Sequence, residues 1–279
     1  MMKRKSIYLL VAACMALAAC AEQTETEPEE TAPTTNSTEP SDESQEESQE
    51  ESTEELTEWS YDGESGPEHW GHLHASYSAC VDGSEQSPIN IDLAEMEESQ
   101  QIEEIDIQYE PASFSLVNNG HTIQKNAVDE NNAITLDGQE YQLVQFHFHT
   151  PSEHQFNGEH FDMELHLVHQ DINGNLAVLG VMIEEGAENE ELAPAWGDLP
   201  EEETENDITL EEPINLQNLL PEDQSSFHYN GSLTTPPCTE EVKWIVFKEP
   251  IQKSAEQIQA FQEIYEENHR PVQPLNERG

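Results

Sequence analysis

Three histidines near the middle of the chain have the spacing of a metal site. His147 and His149 are two residues apart, so on a β-strand both imidazole rings point to the same face. The run from Met163 to Val168 alternates in the same way and places His166 on one face of a second strand. Two neighbouring strands would bring the three rings to one point. Three neutral imidazoles that leave a fourth position open are the ligand set of a catalytic zinc site.

Two polar neighbours strengthen this interpretation. Gln145 and Glu164 each lie two residues from a proposed ligand and on the same strand face. Each could accept a hydrogen bond from the second ring nitrogen and so fix the tautomer. The alternative is an exposed polar strand face, which is the commoner meaning of a lone His-x-His pair. Three histidines with two matched acceptors favour the metal site.

Short alternating segments separated by turn residues predict the sheet that must hold these side chains. Asp137-Gly138 and Asn173-Gly174 are hairpin signals, and each is flanked by an alternating segment on both sides. We expect a single, mostly β (α+β) domain around a large central, mainly antiparallel twisted sheet with short peripheral helices. The predicted strands are 102–109, 114–117, 121–124, 134–136, 141–148, 161–169, 176–183, 226–229 and 242–247. Helices are predicted at 215–220, at 254–268 and near Ala193, and 59–70 is predicted to be a loop-rich segment on the surface.

The N-terminus has the pattern of an export signal. Residues 3–5 are basic, and the apolar run 7–19 is too short to span a bilayer as a mature anchor. The run ends in Leu17-Ala18-Ala19-Cys20, which is typical of a bacterial lipobox whose cysteine becomes the lipidated first residue. An ordinary signal peptide cut after a small residue is the alternative. We predict a lipoprotein-type signal over 1–20 and a mature protein that is exported to the cell surface.

The chain is strongly acidic, with 60 Asp and Glu against 9 Lys and Arg and a formal net charge of −51. Residues 21–58 are low in complexity and almost free of apolar side chains, so we predict a disordered acidic tether there and one domain over 59–279. So acidic a chain lacks the basic footprint that a phosphate backbone requires, which excludes nucleic acid as a natural partner. The acidity of the domain suggests adaptation to a salty exterior; a merely acidic secreted surface is the alternative.

Two cysteines remain outside the predicted signal. Cys80 and Cys238 form an even pair in an exported chain, which favours one disulfide over two free thiols. Cys238 ends the segment GSLTTPPC (231–238), so the disulfide would pin a turn-rich loop that carries two threonine hydroxyls. On its own, such a loop is usually a structural turn.

Ten segments, in this order along the chain, resemble the alpha-class carbonic anhydrases. They are GPEHW (66–70), QSPINI (86–91), NNGH (118–121), QFHFH (145–149), PSEH (151–154), ELHLVH (164–169), LAVLG (176–180), GSLTTPPC (231–238), WIVFKEPI (244–251) and RPVQPLN (270–276). The resemblance covers about residues 59–278. The paired cysteines and the short segment between His149 and Glu153 are similar to the secreted bacterial branch of that family.

The resemblance implies a role for each matching residue. His147, His149 and His166 would bind Zn²⁺, His121 would shuttle protons, and Thr234 would orient a zinc-bound hydroxide while donating a hydrogen bond to Glu153. Gln145, Glu164 and the backbone of Asn268 would accept hydrogen bonds from the ligand rings. The substrate cavity would be formed by Thr235, Val168, Val178, Leu233 and Trp244, and the water network by Tyr61, Asn119 and Gln124. Gln124 stands where animal members have asparagine.

The implied function is the reversible hydration of carbon dioxide to bicarbonate and a proton, by attack of the zinc-bound hydroxide. One alternative is a catalytically inactive carbonic-anhydrase-like binding module on the cell surface. Such relatives lose a zinc histidine, whereas this chain keeps all three together with Thr234 and Glu153. Another alternative is an acidic protein that sequesters metal ions. The N-terminal pattern predicts contact with the membrane only through the lipid anchor. The resemblance further implies a homodimer, since bacterial relatives are often dimers.

Overall fold

The computed structural model describes residues 58–94, 105–197, 199–276 and 278. The predicted signal peptide, its Cys20 and nearly all of the predicted tether lie outside these residues, as does the start of the strand predicted at 102–109. None of the helices in the described part of the chain has the length and apolar character that a membrane crossing requires.

A large mixed sheet forms the body of the described domain. In chain order the strands are β1 (Asn90–Ile91), β2 (Asp106–Gln108), β3 (Phe114–Asn118), β4 (Ile123–Ala127), β5 (Ala133–Leu136), β6 (Gln139–His149), β7 (Gln155–Phe156), β8 (Met163–Gln170), β9 (Leu176–Glu185), β10 (Ile208–Thr209), β11 (Ser226–Ser232), β12 (Glu240–Phe247) and β13 (Ile251–Lys253). The order across the sheet is β10-β3-β4-β6-β8-β9-β12-β11. In addition, β5 pairs with β6 and β2, β13 pairs with β9, and β1 and β7 form a separate small sheet.

The pairing is mainly antiparallel, as the sequence predicted. Within the main sheet, the parallel pairings in the described residues are those of β9 with β12 and with β13. Both predicted hairpins are confirmed. Asp137 and Gly138 join β5 to β6 with positive φ angles of 52° and 78°, the backbone that a two-residue hairpin turn requires. Between β8 and β9, the Asp171 carboxylate accepts hydrogen bonds from the N–H groups of Asn173 and Asn175.

The two central strands β6 and β8 bury one face completely. Phe146 and Phe148 on β6 have no exposed surface, and neither do Met163, Leu165 and Leu167 on β8. These side chains belong to the main apolar core, and burying each of them contributes about 1.5–3 kcal/mol. Because side chains alternate along a strand, His147 and His149 on β6 and His166 on β8 point to the opposite face.

Short helices lie at the periphery, as predicted. They are α1 (Trp70–Leu73), α2 (Ala79–Asp82), α3 (Ala193–Trp196) and α4 (Ala255–Gln262), with 3₁₀ turns at Gly63–Ser65, Ala75–Tyr77 and Leu216–Leu219. The helix predicted at 254–268 is shorter than expected. It starts at a capping box on Ser254 and ends at Gln262. Asn268 cannot continue it, because its backbone N–H donates to the carbonyl of Thr150 at the end of the central strand.

Two further predictions, for residues 121–124 and 59–70, need correction. The strand predicted at 121–124 begins at Ile123, because the Asn119 side chain accepts from the N–H groups of His121 and Thr122 and closes a turn there. The segment 59–70 does not simply lie on the surface. Trp70 at its end is fully buried.

A disulfide joins Cys80 on α2 to Cys238, which confirms the predicted pairing. The two residues are 158 positions apart, and they pack with Trp70 and Tyr77 in a small separate cluster. The bond ties α2 to the loop that follows β11. That loop carries Thr234 and is therefore held from both ends, by the sheet and by the disulfide.

Candidate metal centre

Three histidines converge at the centre of the sheet. His147 and His166 are direct cross-strand partners on β6 and β8, and His149 lies two residues further along β6. One ring nitrogen from each residue lies within 4.8 Å of the other two. The structure thus brings together the three predicted ligands, and it does so through the alternation on which the prediction rested.

The remaining ring nitrogen of each histidine has its own hydrogen-bond partner. His147 Nδ1 is 2.9 Å from Gln145 Oε1, and His149 Nδ1 is 2.6 Å from the backbone oxygen of Asn268. His166 Nε2 is 2.8 Å from Glu164 Oε1. All three partners are acceptors, so each ring carries its proton on the partnered nitrogen and directs a lone pair into the site. The three acceptors are the ones predicted.

Burial keeps the three rings neutral. It lowers the pKa of His149 to about 4 and the pKa of His147 well below its usual value, and it also lowers the pKa of His166. Burial alone would raise the pKa of Glu164, but His154 and His166 together hold that pKa well below its usual range. Glu164 is therefore an anion that accepts hydrogen bonds, and the histidines are ready to donate electron pairs to a metal.

Glu153 lies directly beneath the histidines. Its Oε2 atom is 3.5 Å from His149 Nε2 and 3.9 Å from His166 Nδ1, and its Oε1 accepts a hydrogen bond from the backbone N–H of Arg270. Burial raises the pKa of the Glu153 carboxyl to about 7, although a hydrogen bond from the Thr234 hydroxyl opposes that rise. Oε2 is buried and makes no other hydrogen bond with the described residues.

The converging nitrogens form the floor of a cleft with an empty volume of about 630 Å³ including its open mouth. One side is polar and the other is apolar. The polar side contains Tyr61, Asn119, His121 and Gln124, and the apolar side contains Val168, Val178, Leu233 and Trp244. Thr234 and Thr235 also line the cleft. Every residue predicted for the substrate cavity and the water network therefore lines one cleft.

The sequence analysis missed Trp59. Its ring stacks on His121 with the ring centroids 3.6 Å apart and the planes 10° from parallel. Burial lowers the pKa of His121, and the nearby carboxylates of Glu203 and Glu58 act in the opposite direction. The aromatic residues of the segment 59–70 were visible in the sequence, but no sequence signal indicates which histidine they cover.

His154, Glu164 and His166 form a second group with potential metal ligands. His154 Nδ1 is 2.7 Å from Glu164 Oε1, and its Nε2 is 2.7 Å from the hydroxyl of Tyr229. Both ring nitrogens of His154 are therefore occupied by hydrogen bonds. His154 therefore helps to hold Glu164, which in turn holds the ring of His166.

The donor set fits a zinc ion. His149 Nε2 is buried and has no hydrogen-bond partner among the described residues, which is costly unless another group occupies that position. Three neutral imidazoles in a small cluster are a typical zinc ligand set, and the cleft leaves a fourth position open. The residues of the site therefore fit the metal that the sequence predicted.

Comparisons with known proteins agree with this geometry. A family model described as eukaryotic-type carbonic anhydrase matches residues 65–279. The chain is 45% identical over 223 residues to a carbonic anhydrase of Klebsiella pneumoniae, and the matched region covers 79% of this chain and 89% of that protein. It is 41% identical over 221 residues to a carbonic anhydrase of Neisseria gonorrhoeae, covering 79% and 86%. The alpha-carbonic anhydrase of Thermovibrio ammonificans, solved with the inhibitor sulfanilamide, superposes with a TM-score of 0.76 at 45% identity, covering 80% of this chain and 97% of that one.

The fold and the site define a class of enzyme with a histidine cluster at the base of a half-polar, half-apolar cleft. The chain belongs to the eukaryotic-type, or alpha, carbonic anhydrase family, and its enzyme class is that of the carbonic anhydrases. Membership of this family supports the hydration of carbon dioxide as the general activity of the chain.

Proposed function

We propose that this chain is a zinc enzyme that hydrates carbon dioxide reversibly and exports the proton through His121. The observation that carries the proposal is the orientation of the three ligand rings. Each of them is held by a hydrogen-bond acceptor with its free nitrogen directed at one point, and that point lies at the base of the cleft. Such pre-orientation is the structural requirement for a tight and reactive metal site.

His147 and His149 would hold zinc through Nε2, and His166 would hold it through Nδ1. When bound, zinc lowers the pKa of a coordinated water to about 7, a value for which carbonic anhydrase is itself the standard example, and so supplies a nucleophile at neutral pH. Three neutral ligands leave the full charge of the ion available for this effect. The protein must then orient the nucleophile, receive carbon dioxide and remove a proton.

Thr234 and Glu153 are suited to orient the nucleophile. The threonine hydroxyl donates toward the Glu153 carboxylate, so its oxygen is left to accept a hydrogen bond inside the cleft. The backbone N–H of Arg270 holds the other carboxylate oxygen at 2.8 Å, which fixes the carboxylate plane. This arrangement would orient the attacking lone pair of the nucleophile toward carbon dioxide.

The apolar side of the cleft is suited to carbon dioxide. Val178 and Trp244 are buried, and Val168 and Leu233 pack against the same cluster. Carbon dioxide has no net dipole and gains from leaving water, whereas charged bicarbonate does not. The wall would therefore favour entry of the substrate and release of the product.

The polar side is suited to move the proton. His121, Tyr61, Asn119 and Gln124 all line the cleft that contains the histidine cluster. Because its pKa lies below the usual value, His121 is mostly neutral near neutral pH, so it is available to take up a proton and releases it easily to the solvent.

We propose further that the mature protein is exported and tethered to the membrane through lipidated Cys20, and that its acidic surface suits a salty exterior. Metabolic labelling with a palmitate analogue would test the anchor, with Cys20→Ala as the variant that loses the label.

Association into a homodimer is a separate proposal, which sedimentation of the purified protein would test.

The proposed activity is tested by measuring zinc content and carbon dioxide hydration on the same sample. We expect one tightly bound zinc per chain and hydration that a chelator abolishes. A folded protein that binds many ions loosely and does not hydrate carbon dioxide would instead indicate metal sequestration. A folded, zinc-loaded and inactive protein would indicate a binding module.

A further inference from the structure

Two lysines are completely buried behind the metal centre. Lys125 on β4 and Lys253 at the end of β13 have no exposed surface, and neither Nζ atom has a hydrogen-bond partner among the described residues. The sequence has only four lysines after residue 58, and the other two are Lys243 and Lys248. A chain with so large an excess of acidic groups thus places half of these scarce amines where they offset no surface charge.

Both amines face the same two aromatic rings. Lys125 Nζ lies 4.9 Å from the ring centre of Phe148 and 4.8 Å from that of Trp196. Lys253 Nζ lies 3.9 Å and 3.2 Å from the same two centres. Aromatic faces stabilise one ammonium ion by about 2 kcal/mol when it is desolvated, but two like charges in one apolar site repel strongly. The site therefore holds at most one positive charge.

Burial disfavours the charged form of both amines. Burial lowers the pKa of Lys125 to about 7. Burial, reinforced by the charge of Lys125, lowers the pKa of Lys253 well below its usual value. Since the shared apolar site holds at most one positive charge, one of the two amines is neutral. Lys253, which lies nearer to both ring centres, is the amine with the free electron pair, and Lys125 is the group that can carry a proton beside it. A neutral amine is the form that attacks electrophilic carbon.

Carbon dioxide is an electrophile that reacts with neutral amines, and it is the substrate of the family. Phe148 lies between the ligands His147 and His149, so the lysine site and the metal centre occupy opposite faces of one strand. Trp196 covers the amines from a helix of four residues in the connection between β9 and β10. Local opening of so short an element is the route by which a small apolar molecule would reach the amines.

We propose that Lys253 is a reversible carbamylation site for carbon dioxide, with Lys125 as its counter-ion. The Lys253 nitrogen forms a bond to carbon while one carbon–oxygen π bond opens, and the amine loses one proton. That proton is taken up by Lys125 or released to solvent, and the product is an N-carboxylate. No oxidant, reductant or bound metal is needed. The modification replaces two unpaired amines with an ion pair.

The charge balance explains why this pair of lysines suits the modification. A lone carbamate in an apolar core would carry an uncompensated negative charge at a cost of several kcal/mol. An ammonium on Lys125 beside the same rings compensates it. The modification should therefore depend on Lys125, should be slow because both amines are buried, and should increase with the concentration of dissolved carbon dioxide.

The test is ¹³C NMR of the whole protein, labelled with ¹⁵N at lysine Nζ and equilibrated with ¹³C-bicarbonate. A carbamate carbon bonded to ¹⁵N gives a doublet that free bicarbonate and carbon dioxide cannot give. We expect the doublet in the natural protein, its loss in Lys253→Met, and at least a roughly tenfold weaker signal in Lys125→Met because the counter-ion is missing. The exposed Lys243→Met is the control and should keep the doublet.

The absence of a doublet from the natural protein would overturn the proposal, and so would its persistence in Lys253→Met. An undiminished doublet in Lys125→Met would overturn the role of the counter-ion. If a variant fails to fold, the absence of the doublet from the natural protein would still overturn the proposal. Bicarbonate equilibrates with carbon dioxide without any enzyme, so the carbamate result is independent of whether the chain is catalytically active.

Discussion

The ring of Trp59 stacks on the ring of His121 with their centroids 3.6 Å apart. This contact brings the first described segment of the domain onto the histidine at the edge of the cleft. It removes one face of His121 from water while leaving the residue in the lining of the cleft. The contact therefore connects the N-terminal segment with the residue that we propose as the proton shuttle.

Replacement of His121 by Ala should slow the turnover of carbon dioxide hydration in dilute buffer. A positioned acid–base group contributes at least about tenfold to such a step, so we expect a loss of at least that size in kcat. The value of kcat/KM should change little, because the chemical step does not use His121. Stopped-flow rates over a series of imidazole concentrations measure this. If added imidazole does not restore the variant, His121 is not the shuttle.

Neutralising Glu203 should change the pH range over which His121 works. Burial lowers the pKa of His121, and the Glu203 carboxylate raises it, so Glu203→Gln should lower that pKa further. The ring accepts protons only above its pKa, so the variant should keep shuttle activity to lower pH. An NMR titration of the ring measures the shift, with Glu202→Gln as a control on an exposed neighbour. An unchanged titration would contradict the interaction.

The ring acceptors should contribute to metal affinity without touching the metal. Gln145→Ala removes the partner of His147 Nδ1, and we expect zinc affinity to fall roughly 10- to 100-fold. Competition with a chromophoric chelator measures the affinity. Gln142→Ala, on the same strand but away from the cleft, should leave it unchanged. Equal affinities for the two variants would show that the hydrogen bond does not orient the ligand.

Much of the candidate site could be predicted because its determinants are local. The alternation around His147 and His166 determines which strand face carries the rings, and Asp137-Gly138 determines the turn that precedes the first of these strands. The disulfide could be predicted because Cys80 and Cys238 were the pair left after the signal.

Other features depend on contacts that a linear pattern does not contain. The helix predicted through Asn268 stops early because that residue bonds to Thr150 and His149, more than a hundred positions away. The stacking of Trp59 on His121 is a contact of the same kind. The burial of Lys125 and Lys253 contradicts the usual preference of lysine for the surface, so no residue-type rule would have found it.

The buried lysines should make the folded state more stable as the pH rises. The pKa of Lys125 is about 7 in the folded protein and near 10.4 when the chain is unfolded. Between these values the unfolded state binds more protons, so the free energy of unfolding should rise with pH, by roughly 5 kcal/mol in all for this group. Below pH 7 both states are protonated and this contribution to the slope vanishes.

Urea unfolding in buffer free of carbon dioxide, at several pH values from about 7 to about 10, measures this slope. Lys125→Met should flatten it, and the exposed Lys243→Met should not. Carboxylates remain ionised throughout this range, so the repulsion between acidic groups does not imitate the effect. A slope that is the same in the natural protein and in Lys125→Met would contradict the assignment.

The disulfide should stabilise both the fold and the threonine loop. Closing a loop of 158 residues is worth roughly 5 kcal/mol in the chain-entropy model. Cys80→Ala combined with Cys238→Ala should lower the free energy of unfolding by a few kcal/mol and should also reduce kcat, since the loop carries Thr234. Denaturant unfolding and stopped-flow rates on the same samples measure both effects. Unchanged stability in the double variant would exclude a structural role for the bond.

The most direct test of the account is stopped-flow hydration of carbon dioxide by the purified protein, with and without a zinc chelator. We predict fast hydration that the chelator removes and that added zinc restores, and no hydration for His147→Ala at any zinc concentration. A folded, zinc-loaded protein without hydration activity would contradict the catalytic assignment. Hydration that survives complete removal of zinc would contradict the role assigned to the three histidines.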